Sequence, residues 1–458
     1  MDIANLKKKN VLILGAGKTG IASAYFLLNK TKRLLLSDNK EEPENLKDKI
    51  QVLKAAGVQV EFQKDSDEFI NKADLIVISP GISPQSEIVN KIYLLNKPII
   101  SDIELAQSFI KKPIIAITGT NGKTTTTSLI THLLNTAGKK AIACGNIGKP
   151  LIEVLEESQD LDYYVLEISS FQIFYSSTLS CKIAVCLNIT ADHLEWHGSF
   201  EHYICTKEKL FLQQSKDSWA VLNCSDNIIK NFKPHNNTFY FSSQKIDTQL
   251  FANIAYFEGG KLKVKEKNKI SEIIAKDELK ILGLHNVENA LASIAVAKII
   301  GIENENIKQG LREFEGVEHR LEYVNIVNGK EVYNDSKATN PEATIKAIEA
   351  LSQENGKKIT LILGGRDKKT KLNEMIKAIK KSIDQVILFG EAKERFQEEL
   401  NKDSYKQLVI VKDLKEAVAV SLKSETDIVL FSPACLSFDM FKNYEERGKL
   451  FKELVNKF

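Results

Sequence analysis

The sequence predicts an α/β protein of three domains, each a mainly parallel sheet with flanking helices. Three observations carry this expectation. The chain has 458 residues, which at roughly 150 residues per domain suggests about three domains. Apolar, strand-like runs alternate with helix-period patterns from one end to the other, the signature of parallel sheets joined by helical crossovers. A glycine-rich turn, "GAGKTG" or "GTNGKTT", directly follows the first strand-like run of each of the first two blocks and opens a helix.

In the first block the strand-like runs are "NVLILG", "RLLLSD", "VQVEF" and "DLIVISPG". Between the first two, "KTGIASAYFLLNK" places apolar residues at helical spacing. The block reads as a doubly wound, Rossmann-like sheet. The second block opens at "PIIAITG" and continues through "KAIACG", "YYVLEIS" and "IAVCLNIT". Its first helix, "KTTTTSLITHLLNTAG", carries Leu129, Ile130, Leu133, Leu134 and Ala137 on one face and ends at Gly138. A small hairpin follows in "IAYFEGGKLKVK", with Gly259-Gly260 as the turn. The helix "NVENALASIAVAKII" closes the block and stops at Gly301. The third block begins near "EHRLEYV" and has runs "KITLILGG", "QVILFG", "KQLVIV" and "DIVLFSPA". It reads as a second Rossmann-like sheet. The expected boundaries are 1–111, 112–318 and 319–458, joined by short hinges, because no Pro/Gly/Ser-rich linker lies near 111 or 318.

Composition excludes several function classes. Lys plus Arg number 63 and Asp plus Glu 60, a net charge of +3, which gives no reason to expect a nucleic-acid or membrane partner. The apolar run "VLIL" after Lys7–Lys9 is too short for a signal peptide, and no stretch approaches the length of a membrane span. The six cysteines form no C-x-x-C and show no zinc-ligand spacing. They read as reduced thiols of a cytoplasmic protein.

"GTNGKTT" is the most informative stretch. Gly119, Gly122, Lys123 and Thr124 form G-x-x-G-K-T, two residues shorter than the usual phosphate loop. Strand, glycine loop, Lys-Thr and helix is the context in which backbone N–H groups and the positive end of a helix face an anion. Lys123 would neutralise outer phosphates, and the Thr124 hydroxyl would reach a magnesium ion. The central block therefore reads as a phosphate-loop ATPase-like domain. Gly15, Gly17 and Gly20 form a second motif, G-x-G-x-x-G, with Asp38 ending the next strand. Taken alone it points to a dinucleotide-binding dehydrogenase, or to nothing more than a tight turn. Glu167 ends a strand of the central block, and Asp192 and His193 follow another. Ligands of open parallel sheets bind beyond such strand ends, so Glu167 and His193 are expected near Lys123 as magnesium ligands.

"GTNGKTT", "LEISSFQ", "NITADHL", "GLHNVENALA", "EHRLE", "YNDSKATNP" and "SPACLSFDMFKNYEERG" together resemble the Mur ligases, in order and along the whole chain. These are ATP-dependent amide-bond formers of peptidoglycan synthesis, and the short G-x-x-G-K-[ST] loop is the form they use. "DSKATNP" with the last stretch resembles the branch that adds D-glutamate to UDP-N-acetylmuramoyl-L-alanine. The resemblance implies an acyl-phosphate intermediate, release of ADP and phosphate, Mg²⁺ at two sites and a CO₂-derived carbamate on a lysine. It also implies a monomer whose third domain closes over ATP.

Carried over position by position, the resemblance assigns ATP to Gly119, Thr120, Asn121, Gly122, Lys123, Thr124 and Thr125, with Asn289 on adenine. Arg320, Asp335 and Lys337 reach ribose and phosphate from the third domain. Thr124, Glu167, His193 and carbamylated Lys207 hold metal; Lys123, Glu167, His193 and Lys207 form the catalytic group. Lys207 is preferred to Lys209 because it stands four residues after Tyr203. Asp38, Asn39 and Lys40 fall where uracil binds, and Lys18 and Thr19 where the diphosphate binds. Ser79, Pro80, Gly81 and Asn146 complete the UDP-substrate side. Thr339, Lys368, Ser437, Phe438 and Tyr444 fall where D-glutamate is held. Three departures stand out: "LGGRDKKTKL" around Arg366 and Asp367, Tyr444 in place of Phe, and Lys40 in place of Arg, which loses a bidentate fork. The competing readings are another Mur or folylpolyglutamate-type ligase, a nicotinamide dehydrogenase built on Gly15–Gly20, and a nucleotide-gated binding module without transfer chemistry.

Overall fold

The computed structural model describes residues 3–63, 67–157, 160–234, 237–352, 356–402 and 405–458. Its strands assemble into three sheets. The first contains β1 (Asn10–Leu14), β2 (Arg33–Asp38), β3 (Gln59–Phe62), β4 (Leu75–Ile78) and β5 (Ile99–Ser101), in the order β3-β2-β1-β4-β5. All its pairings are parallel. Helices cover both faces, which explains the unbroken apolar run Val11–Leu14, each residue 2% exposed or less. Because β2 and β4 flank β1 on opposite sides, the loops after β1 and β4 part and leave a crevice at the carboxyl ends of the strands. Packing demands the glycine motif there. A Cβ on Gly20 would stand 1.9 Å from the Gly15 carbonyl oxygen, and Gly15 itself has φ +96°.

The second sheet has nine strands: β6 (Ile114–Thr118), β7 (Ala141–Gly145), β8 (Tyr163–Glu167), β9 (Ile183–Cys186), β10 (Trp219–Asn223), β11 (Asn237–Ser242), β12 (Asn253–Glu258), β13 (Lys261–Glu266) and β14 (Lys269–Ala275). Their order is β14-β13-β12-β11-β10-β9-β6-β8-β7. The anticipated hairpin is β12–β13, turning at Gly259 (φ +59°) and Gly260 (φ +76°). Strands β10, β11 and β14, which the apolar pattern did not single out, join the hairpin to the phosphate-loop strands as one sheet. Strand β6 lies between β8 and β9, so two crossovers flank the loop that follows it. The Lys123–Thr136 helix buries Leu129, Ile130, Leu133 and Leu134, as its periodicity requires. Gly138 follows at φ +75°.

The third sheet contains β15 (Glu322–Val327), β16 (Lys330–Asn334), β17 (Ile359–Gly364), β18 (Gln385–Phe389), β19 (Leu408–Ile410) and β20 (Ile428–Phe431), in the order β15-β16-β20-β17-β18-β19. Only β15 runs antiparallel, paired to β16 through a turn at Asn328-Gly329 with φ +51° and +75°. The chain divides into two compact units, residues 1–276 with 288–311, and residues 277–287 with 312–458. The first two sheets belong to the first unit. No helix among the described residues is long and apolar enough to cross a membrane.

Within the first unit, the short Asp102–Gln107 helix ties the first sheet to the second. Ser101 Oγ lies 2.7 Å from Ser176 Oγ, and Glu104 accepts the Ser177 amide at 2.8 Å. Asp102 is 2% exposed, and neither of its oxygens meets a hydrogen-bond donor. Burial pushes its carboxyl up to about 7, and nearby backbone amides offset only part of that. The unfolded chain would ionise Asp102 near 3.8, so the native state holds the extra proton and loses stability as pH rises from about 4 to about 7. Asp102→Asn removes that loss. Its stabilisation is expected to be ~3 kcal/mol larger at pH 8 than at pH 5. Chemical denaturation at the two pH values checks this, and an equal effect at both would contradict it.

Candidate active site

The phosphate loop leaves β6 at Thr118 and enters its helix at Gly122, the N-cap, which has φ +84° and no capping side chain. The first-turn amides are thus left for an anion, at the positive end of a fourteen-residue helix. Two neighbours fix the loop's path. A Cβ on Gly122 would meet Asn289 Oδ1 at 2.4 Å, and one on Gly119 (φ +147°) would meet Leu187 Cβ at 3.1 Å. The segment after β9 braces the other side. Thr120 N donates to Asn188 O at 2.8 Å and Asn121 N to Asn188 Oδ1 at 2.8 Å. Thr120 Oγ1 also lies 3.0 Å from Tyr203 Oη. Lys123 Nζ folds onto the Gly119 and Thr120 carbonyls at 2.9 and 2.8 Å. Thr124 and Thr125 are buried. Asn289 is 4% exposed and accepts from Thr126 Oγ1 at 3.1 Å.

Lys207 comes to the same loop from the Phe200–Leu212 helix. It is 1% exposed, and its amine donates to Thr118 Oγ1 at 3.3 Å and Gly119 O at 3.1 Å. Its ammonium lies 4.6 Å from the centre of the Tyr203 ring. It makes no ion pair with a carboxylate among the described residues. Burial first, and the nearby Lys123 charge second, push its pKa down to about 7. Lys209, by contrast, spends its amine on the Ile173 and Phe174 carbonyls.

Glu167 ends β8, the neighbour of β6, and is 3% exposed. Its Oε1 accepts the Asn146 side-chain amide at 2.9 Å, while Oε2 is buried with no donor. A buried carboxylate oxygen without a partner is expensive unless a cation completes it. No group of three or more His, Cys, Asp or Glu able to hold a metal exists among the described residues. The unpaired Glu167 Oε2 is the kind of donor that suits magnesium, which takes one or two protein oxygens beside phosphates and water. Thr124 Oγ1 and Glu167 Oε2 are oxygens of that kind. His193 has φ +53°, is about half exposed and sets its ring edge-on to Phe171 at 4.8 Å. It makes no hydrogen bond to Glu167 or Lys207 among the described residues.

In the crevice of the first sheet lies a cavity of about 610 Å³. Asp38, Asn39, Lys40, Ser79 and Gly81 line it. Asp38 is committed to shaping the loops: it accepts the Ala16 amide at 2.7 Å and the Lys40 amide at 2.9 Å. Lys18, Thr19, Pro80 and Asn146 are not among the cavity's walls. Lys18 Nζ instead donates to Gly148 O, in the "GNIG" loop that also carries Asn146.

The second unit gathers its own group. Asp335 is 6% exposed; it accepts Ser432 Oγ at 2.7 Å and the Leu321 amide at 3.1 Å. Burial raises its carboxyl to about 6 against the pull of those bonds and of Arg320. Arg320 Nε is buried without an acceptor. Lys337 Nζ sits 5.4 Å from the Tyr444 ring centre. Ser437 is buried, Thr339 half-buried, and Lys368 and Phe438 exposed. Arg447, to which sequence reasoning gave no role, is fully buried. It donates to Ser336 O at 2.6 Å, Ser336 Oγ at 3.0 Å, Cys435 O at 3.1 Å and Leu436 O at 3.2 Å. It thus joins the Asp335–Lys337 turn to the loop before Ser437.

The fold and this loop define an α/β nucleotide-binding protein with a shortened phosphate loop and a buried lysine beside it. The comparisons are more specific. The MurD-like N-terminal domain of Mur ligases matches residues 9–101, the Mur ligase middle domain residues 117–297, and the Mur ligase glutamate ligase domain residues 319–435. A UDP-N-acetylmuramoylalanine–D-glutamate ligase of Caldanaerobacter subterraneus subsp. tengcongensis is 41% identical over 456 residues, covering 98% of each chain. One of Thermoanaerobacter pseudethanolicus is 40% identical with the same coverage. The chain belongs to the Mur ligase family. Among solved structures, the MurC UDP-N-acetylmuramate-alanine ligase of Thermotoga maritima superposes with a TM-score of 0.60 at 20% identity, covering 98% of this chain and 99% of that one. The MurF ligase of T. maritima, solved with ADP, gives 0.59 at 16%, covering 100% and 97%. Both share the fold.

Proposed function

We propose that this chain joins D-glutamate to UDP-N-acetylmuramoyl-L-alanine at the expense of ATP, in cytoplasmic peptidoglycan synthesis. The observation that carries the reading is the phosphate loop, with Lys123 inside it, Lys207 against it and Glu167 Oε2 unpaired one strand away. The near-full-length relatives at about 40% identity, all named for this reaction, support the choice of amino acid.

A carboxylate has no leaving group for an amine to displace, so the substrate carboxylate must first accept the γ-phosphoryl group. The amine of D-glutamate then attacks the acyl phosphate, and phosphate leaves. Such transfer needs alignment and neutralised charge more than covalent help from the protein. The Gly119–Thr125 amides and Lys123 hold the phosphates, and Asn289 receives the base. Magnesium, when bound, withdraws charge from the phosphoryl oxygens; Thr124, Glu167, His193 and a carbamate on Lys207 would hold it. An ammonium has no lone pair to offer a cation, whereas a carbamate offers two anionic oxygens. The domain 1–111 takes the UDP substrate through Asp38, Asn39, Lys40, Lys18, Thr19, Ser79, Pro80 and Gly81, with Asn146 from the central domain. The central domain, 112–318, binds ATP. The third, 319–458, brings Arg320, Asp335 and Lys337 to the nucleotide and Thr339, Lys368, Ser437, Phe438 and Tyr444 to the amino acid. The enzyme is taken to act as a monomer.

Phosphate release from ATP with Mg²⁺ and UDP-N-acetylmuramoyl-L-alanine tests this, offering D-glutamate, L-glutamate, L-lysine and meso-diaminopimelate in turn. Release only with D-glutamate is expected. Release with another amino acid alone would move the chain to a different branch, and no release with any would leave a nucleotide-binding module.

A further inference from the structure

His197 is 3% exposed and lies just beyond the candidate catalytic group. Its Nε2 is 2.9 Å from Ser170 Oγ, and its Nδ1 is 3.1 Å from His202 Nδ1. Both contacts cross between segments. Ser170 stands three residues after Glu167, at the start of the Ser170–Phe174 helix, which Ser169 and Gln172 close with a capping box. His197 ends the Leu194–His197 turn, and its amide bonds back to His193 O at 3.0 Å. His202 and Tyr203 lie on the helix that carries Lys207. The His197 ring also meets Tyr203 edge-on at 5.1 Å, and Tyr203 holds the phosphate loop through Thr120 while lying beside the Lys207 amine. Phe171 and Trp196, 5.7 and 4.6 Å from the imidazole, wall the cluster.

Two facing Nδ1 atoms need one hydrogen between them, so one imidazole donates and the other accepts. The His197 ring is buried with a hydrogen-bonding partner at each nitrogen, Ser170 Oγ on one side and His202 Nδ1 on the other. A buried ring engaged at both nitrogens and packed edge-on to Tyr203 is a rigid three-way joint.

We propose that His197 is a positioning residue of the ligation reaction: through Ser170, His202 and Tyr203 it sets the strand end bearing Glu167, the turn bearing His193 and the helix bearing Lys207 in one register against the phosphate loop. The proposal rests on the ligase reading above. A joint of this kind acts on the transition-state geometry, where small displacements reduce turnover far more than substrate binding.

His197→Phe keeps the ring packing and removes both hydrogen bonds; His197→Gln keeps an amide that can reach Ser170. Both are measured with the full-length enzyme for ligation kinetics, and by ¹³C NMR for uptake of ¹³C-bicarbonate as a carbamate at Lys207. His197→Phe is expected to lower kcat by about 10- to 100-fold with KM for ATP changed less than about threefold, and to weaken the carbamate signal. His197→Gln is expected to recover part of both, and it decides the matter should the phenylalanine variant fail to fold. Wild-type kcat and a full carbamate signal in His197→Gln and His197→Phe would overturn the proposal. So would a loss confined to KM. A wild-type chain that neither releases phosphate nor takes up the label overturns the ligase reading, and the proposal with it.

Discussion

Lys207→Ala is expected to lower the ligation rate on the order of a thousandfold, and millimolar acetate or formate to restore part of it. The size follows from the proposed role of Lys207: an anionic metal ligand contributes several kcal/mol of charge stabilisation, and each 1.36 kcal/mol is about tenfold in rate. Rescue follows from chemistry. A short carboxylate carries the two oxygens that the carbamate would have presented, and the shortened side chain leaves room for it. Burial of the Lys207 amine favours the proposed modification. Carbamylation requires the free amine, and an ordinary lysine at pH 7 is unprotonated in roughly one copy in three thousand. With Lys207 held down to about 7 by burial and Lys123, about half the copies offer a lone pair at that pH. The sign is definite: uptake of CO₂ by Lys207 should increase as pH rises through about 7, where an exposed lysine would still be almost wholly protonated. Full activity of Lys207→Ala without any added carboxylate would remove the carbamate from the mechanism.

Arg447→Met is expected to destabilise the second unit by about 2–6 kcal/mol, from two buried carbonyl oxygens left without a donor at about 1–3 kcal/mol each. The guanidinium is fully buried and serves Ser336, Cys435 and Leu436 at once. Its removal strands the Ser336 and Cys435 carbonyl oxygens away from water, while Leu436 O keeps the Arg366 amide at 2.8 Å. Arg447→Lys should recover only part, because a single ammonium cannot span acceptors that a planar fork reaches. Both loops it joins lead into residues assigned to the amino acid, Thr339 on one side and Ser437 on the other, so KM for D-glutamate should rise alongside. Calorimetry of the variant against the wild type checks the first part, and an unchanged melting profile would contradict it.

The sequence disclosed those features whose cause is local. The apolar runs of β1, β6, β17 and β20 are continuous because helices cover both faces. Gly15, Gly122, Gly259 and Gly260 mark positive φ angles that few other residues adopt. Edge strands were harder to see: β5 has three residues, and β15 alternates with a bulge, leaving Tyr323 and Ile326 exposed. In the site, Lys123 and Thr124 announce themselves by spacing, but Asn188, Tyr203, His197 and Arg447 do not. Their partners lie far off in the chain: Asn121 is 67 residues from Asn188, Thr120 is 83 from Tyr203, and Ser336 is 111 from Arg447. An aromatic or a basic residue on a helix reads as core or as solvated surface until folding shows what it faces.

The placement of β6 between β8 and β9 has a consequence in time. The Thr120 hydroxyl reaches its backbone acceptor at Thr190, 70 residues later. A ribosome adds about 5–20 residues per second, so the phosphate loop emerges on the order of ten seconds before the segment that braces it. During that interval the nascent chain holds a glycine-rich loop and a helix with nothing to fix their geometry. Nucleotide binding must therefore wait until synthesis has passed residue 190, the helix bearing Tyr203 and Asn289, which also packs on the loop, and a chain stopped short of residue 190 should not retain ATP.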